Sequence, residues 1–160
     1  QAYLRSSMIR DESGIPDKLT DSLEDACLAL HRENISAEEL ALIFSLACKV
    51  LSSRDKIVNE YAACDAPGLY CLGSGYDVRT GAPEKGRCAF LTFDFLDRRI
   101  IIGMKCVREG ESAEEKLREE EAQILPHGCG RDSPVKPLRR FAMVFSVPEQ
   151  KIVLADEVRA

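Results

Sequence analysis

Only two histidines occur in the 160-residue chain, His31 and His127, and each stands near a cysteine. In "CLALH", Cys27 and His31 are four residues apart, which on a helix puts them on one face. In "HGC", His127 and Cys129 are two apart. Two thiolates and two imidazoles can hold zinc tetrahedrally. The second spacing is not that of a zinc motif, however, and nothing in the sequence joins the two pairs, so no metal is expected. Cys129 in "PHGCG" is also the best candidate for a nucleophile, with His127 as its base. Neighbours two apart seldom reach the geometry such a pair needs. The expectation is no catalytic set and no cofactor.

The densest run of special residues is "GLYCLGSGYDVRTGAPEKGRC", residues 68–88. "GSGYDV" begins like a phosphate-cradling glycine loop, but Val78 takes the third glycine position. The following "RTGAPEKG" cannot start the helix whose N-terminus would face a pyrophosphate. The stretch therefore reads as a surface loop that uses glycine for turns. If it recognises anything, Tyr70, Tyr76 and Arg79 are the residues to do it, because Tyr and Arg dominate binding hot spots.

Seven cysteines, Cys27, Cys48, Cys64, Cys71, Cys88, Cys106 and Cys129, include no CxxC pair. That removes the thioredoxin and zinc-ribbon signatures. All seven are disulfide candidates. With a three-residue hairpin tip at Leu96–Arg98, Cys88 and Cys106 face each other across two strands. Cys64 can close a small loop with Cys71 or reach Cys129, and Cys27 can meet Cys48 if their helices pack antiparallel. Seven is odd, so a disulfide-linked dimer stays open. A start at Gln1 reads as a processed or a trimmed chain, and "NIS" at Asn34 is a glycosylation sequon. Together these features point to an oxidising compartment.

The charge has a local origin. Between Glu109 and Glu121, seven glutamates face Lys116 and Arg118, and this excess of five acids equals the net charge of −5. The rest of the chain is balanced, which argues against a broad nucleic-acid footprint. No apolar run approaches the roughly 20 residues of a membrane span.

Several elements must position these residues. Residues 1–14 read as a flexible arm and 15–160 as a single domain. Leu19, Leu23, Ala26, Cys27 and Leu30 recur at helical spacing after Pro16. "SAEE" from Ser36 is a capping box, and Leu40, Ile43, Phe44, Ala47, Val50 and Leu51 continue it as an apolar stripe. Residues 64–87 read as loop with one short strand at Leu69–Leu72. "CAFLTFDFLDRRIIIGMKCV" and "RRFAMVFSVPEQKIVLADEV" are hairpins, the second turning at Pro148–Gln150. The Glu-rich stretch from Ser112 to Ile124 is a solvated surface helix. The fold class is α+β: an antiparallel sheet of two hairpins plus a short strand, with helices on one face.

The last hairpin, residues 138–158, resembles the late strand–turn–strand of the guanyl-specific microbial ribonucleases, a scaffold that secreted fungal effectors reuse. The resemblance implies a helix packed on an antiparallel sheet, tied by disulfides, with Arg140 at the position of the catalytic arginine. No histidine falls in a predicted strand, so the acid and base for RNA cleavage are missing. The expected function is a small secreted, disulfide-stabilised, effector-like binding protein without catalysis, acting on a protein partner. The alternatives are a cytoplasmic interaction domain with reduced cysteines and a cysteine-dependent enzyme.

Overall fold

A computed structural model describes residues 17–51, 56–81, 89–124 and 136–159. The expected arm at 1–14, His127, Cys88 and Cys129 lie outside the described residues.

The first helical pattern forms α1, Asp17–Cys27, which tightens into a 3-10 turn over Leu28–His31. The capping box then starts α2, Ala37–Leu51, as the sequence requires. Ser36 Oγ accepts from the Glu39 amide at 3.1 Å, and Glu39 Oε1 accepts from the Ser36 amide at 3.0 Å. Two of the helix's orphan donors are satisfied reciprocally.

The third helix corrects the sequence reading. Residues expected as loop and strand form α3, Glu60–Gly73, with Pro67 inside it. Asn59 caps it by accepting from the Ala62 amide at 2.9 Å. Pro67 has no N–H for the carbonyl of Ala63, four residues back. Cys48 on α2 supplies a weak substitute, its Sγ donating to that carbonyl at 3.8 Å. Gly68 has a packing reason: a Cβ there would lie 3.0 Å from Leu91 Cδ2 and 3.1 Å from Thr80 Cγ2. Both breakers are used where α3 presses against its neighbours, so local propensity gave way to packing.

Five strands form one sheet in the order β1 (Val78–Gly81), β2 (Ala89–Asp94), β3 (Arg99–Val107), β4 (Leu138–Ser146) and β5 (Lys151–Val158). Both expected hairpins form, and the class is α+β. The two hairpins meet in parallel, β3 against β4. A parallel pair needs a crossover, and the Glu-rich helix α4, Ala113–Ile124, supplies it.

Alternation along the strands divides the core. Ile100, Ile102, Met104 and Cys106 of β3 join the helices α1 to α3 in one apolar cluster, while Ile101 packs with Ile124 of α4 in a second. Helices therefore cover both faces, not one. The β4–β5 turn holds Gln150 at φ 55°, and its side chain ties the entry to α3: Oε1 accepts from the Ile57 amide at 2.9 Å and Nε2 donates to the Ile57 carbonyl at 2.7 Å.

Candidate binding cleft

The "GSG" stretch that resembles a phosphate loop is the C-terminal cap of α3. Gly75 has φ 93°. Its amide donates to the Leu72 carbonyl at 3.1 Å, and the Tyr76 amide donates to the Cys71 carbonyl at 3.1 Å. These are the two bonds of a Schellman motif, which needs a residue that tolerates the left-handed region. The cap turns the chain sharply and aims Tyr76 back toward the end of α1.

There Tyr76 Oη lies 3.0 Å from His31 Nε2 and 3.4 Å from the Cys27 carbonyl. The rings of His31 and Tyr76 are 5.6 Å apart, and Phe95 meets Tyr76 edge-on at 6.3 Å. Together with Ser74, Gly75, Asp77, Phe93 and Asp94, these rings line a cleft of about 360 Å³. Asp94 anchors its sheet side. Lys136 Nζ donates to Asp94 Oδ1 at 2.7 Å and Arg99 Nη2 to Oδ2 at 2.9 Å, with Arg79 Nη2 at 3.8 Å from Oδ2. The bonds from Lys136 and Arg99 hold the Asp94 carboxyl below its ordinary value.

Of the three residues singled out in the sequence, the structure brings two to this region. Tyr76 is a wall of the cleft, and Arg79 stands at its rim through Asp94. Tyr70 is core, 2 % exposed, because α3 replaces the expected loop and turns it inward. His31 and Phe95 were missed as partners of Tyr76, since nothing local in the sequence links positions 31, 76 and 95.

The cysteines are corrected too. Cys27, Cys48, Cys64, Cys71 and Cys106 are buried thiols, none joined in a disulfide. Cys64 and Cys71 lie seven residues apart on one helix, an axial rise of about 10 Å. That is too far for a bridge, whose Cα atoms sit within about 7 Å. Cys88 and Cys106 needed the three-residue hairpin tip. In the described part of the hairpin Asp94 pairs with Arg99 and Ala89 with Met104, one residue off the register that a three-residue tip gives; Cys88 itself lies outside the described residues. Burial pushes the thiols of Cys48 and Cys106 up to about 12, and Cys64 well above its ordinary value, with Glu60 adding to the effect at Cys106 and Asp65 at Cys64.

Cys27 and His31 do not share a face. The 3-10 turn advances about 120° per residue, which swings His31 to the surface while Cys27 stays in the core. Among the described residues no three His, Cys, Asp or Glu side chains are grouped to hold a metal.

Two further surfaces bear on function. Of the leucines exposed on the helical layer, four are more than half exposed: Leu28 (66 %) and Leu42 (54 %) beside one groove, and Leu69 (66 %) and Leu72 (55 %) on α3. At the far end of the sheet, Arg139 donates through Nε and Nη2 to Glu157 at 2.9 and 3.0 Å and through Nη1 to the Glu33 carbonyl at 2.7 Å. Its neighbour Arg140 points to the opposite face by strand alternation. His31, the one described histidine, is committed to Tyr76.

The chain matches no protein-family model and no curated protein. Among the described residues no helix is long and apolar enough to cross a membrane.

Proposed function

We propose that this chain is a binding domain with a reduced thiol core, acting on a protein partner through the outer surface of its helical layer. The observation that carries this reading is the exposure of Leu28, Leu42, Leu69 and Leu72. Burying a leucine contributes about 1.5–3 kcal/mol. Two pairs left in water on neighbouring elements thus mark a surface that gains from being covered.

The thiols favour the reduced-compartment alternative over the secreted one. A disulfide framework uses cysteines where chain segments can be bridged, whereas these five fill core positions as small hydrophobes. The absence of catalysis belongs to the same proposal: the described histidine is hydrogen-bonded to a tyrosine, and the described thiols are buried, with Cys48, Cys64 and Cys106 made harder to ionise by that burial.

A photo-crosslinking residue in place of Leu69, introduced in cells, tests the reading. Discrete adducts that disappear when Leu28 and Leu72 are also changed to Ser support it. An unchanged adduct pattern, or none, overturns it. Alkylation of the natively produced chain with and without reduction tests the compartment. Protection of four or more cysteines until reduction would restore the secreted reading.

A further inference from the structure

The cleft at the end of α3 has an unusual division of labour among its linings. Its walls are aromatic: the His31, Tyr76 and Phe95 rings adjoin in series, 5.6 and 6.3 Å between centroids. Among the described residues its formal charges come from two carboxylates, Asp77 and Asp94, and no lysine or arginine lines it. The cations that bind Asp94 reach it from outside the cleft. Asp77 is exposed, and among the described residues its carboxylate has no ion-pair partner. The small polar groups are already committed: Ser74 Oγ donates to the Tyr70 carbonyl at 2.8 Å.

We infer that this cleft binds an alkylammonium head group. Aromatic faces attract cations through their quadrupoles, and Asp77 supplies the counter-charge beside them. Phe95 already shows the same chemistry within the fold, with the Arg98 guanidinium 4.2 Å from its ring centroid. An anionic ligand would meet Asp77 and Asp94 with no lysine or arginine among the described lining residues to offset them. A neutral ligand of the same shape would gain contact area but nothing from the carboxylates. Arg79 and Lys136 lie just beyond the lining and oppose a second cation, which keeps binding weak. The source of the ammonium is a free amine or the lysine side chain of a partner.

The test is titration of amide proton and nitrogen shifts with n-butylammonium chloride, with n-butanol at matched chloride as the neutral isostere. Saturable shifts confined to Gly75, Tyr76, Asp77 and their neighbours are expected, with a dissociation constant on the order of 1–10 mM. Butanol should bind about tenfold more weakly. Asp77→Asn, an exposed change that leaves the fold intact, should weaken butylammonium by about threefold or more, and Phe95→Ala by more. Equal binding of butanol, saturation of the same amides by acetate, or no saturable shift would overturn the inference. N-acetyl-lysine methylamide distinguishes the sources: much tighter binding than butylammonium points to a peptide, equal binding to a free amine. Leu69→Ser/Leu72→Ser should leave the titration unchanged, so failure here is separable from failure of the partner surface.

Discussion

The two faces of the sheet are built from different materials. One carries three helices and the largest buried side chains, among them Phe44, Tyr70, Phe93, Phe141 and Phe145, together with all five described cysteines. Among the described elements the other carries α4 alone. Its small apolar contact of Ile101 and Ile124 is flanked by Glu120, which is fully buried. The Glu120 carboxylate sits where a side chain on Gly103 would stand. Beside it, Glu121 is raised above its ordinary value by burial and by the neighbouring carboxylate of Asp156, with which it shares a hydrogen bond. The comparison teaches that a crossover helix can pack on a small apolar contact, whereas the opposite face supplies most of the burial.

The thiols offer the largest contrast. In the unfolded chain they ionise near 9.0, while the folded values of Cys48 and Cys106 are about 12. Their contribution is therefore fully present below pH 9 and is lost as pH rises toward 12, by several kcal/mol in total. Denaturant midpoints measured from pH 8 to 11 should fall steeply, and Cys48→Ala/Cys106→Ala should flatten that fall. A profile unaffected by the double change would mean that the thiols are not what separates the faces.

Truncation compares the faces directly. Phe141→Ala on the helical side should cost about 3–5 kcal/mol, and Ile124→Ala on the α4 side about 2–3 kcal/mol. Equal costs in urea unfolding would make the two faces energetically equivalent. Gly103→Ala sharpens the point, since the new methyl group must displace Glu120. A loss of about 1–3 kcal/mol is expected. In a double-mutant cycle, Glu120→Ala should recover part of it, with a coupling of about 1 kcal/mol. Strict additivity would show that Glu120 does not occupy the notch.

Smaller effects follow at the ends of the scale. Ser36→Ala removes one half of the capping box and should cost about 1 kcal/mol. Asp156→Asn relieves the repulsion at Glu121 and should change stability at pH 7 by no more than about 0.5 kcal/mol, upward. A loss there would mean that the shared hydrogen bond outweighs the repulsion.

Much of the helical face was legible. The 3–4 spacing of Leu19, Leu23, Cys27 and Leu30 and the Ser36–Glu39 pair are local signals, and they act locally in the structure. Both hairpins were legible for the same reason. α3 was not, because Pro67 and Gly68 are breakers by propensity, and their compensation, a thiol from α2 and a close approach to Leu91, comes from distant parts of the chain. Nor was the inward turn of Glu120, since the inward positions of α4, Ala113, Leu117, Glu120 and Ile124, carry an acid where the pattern calls for an apolar residue.

What the sequence by itself determined is therefore the set of interactions closed within a few residues: caps, helical stripes, strand alternation and the acidic origin of the net charge. Tertiary structure decided the rest. It set the parallel meeting of two hairpins around α4, the one-residue shift in the register of the first hairpin, and the burial of five cysteines as thiols. It also brought His31, Tyr76 and Phe95 to one cleft, because a left-handed cap at Gly75 redirects the chain toward residues 45 positions earlier. Such juxtapositions depend on which surfaces are covered, and no short-range pattern carries that information.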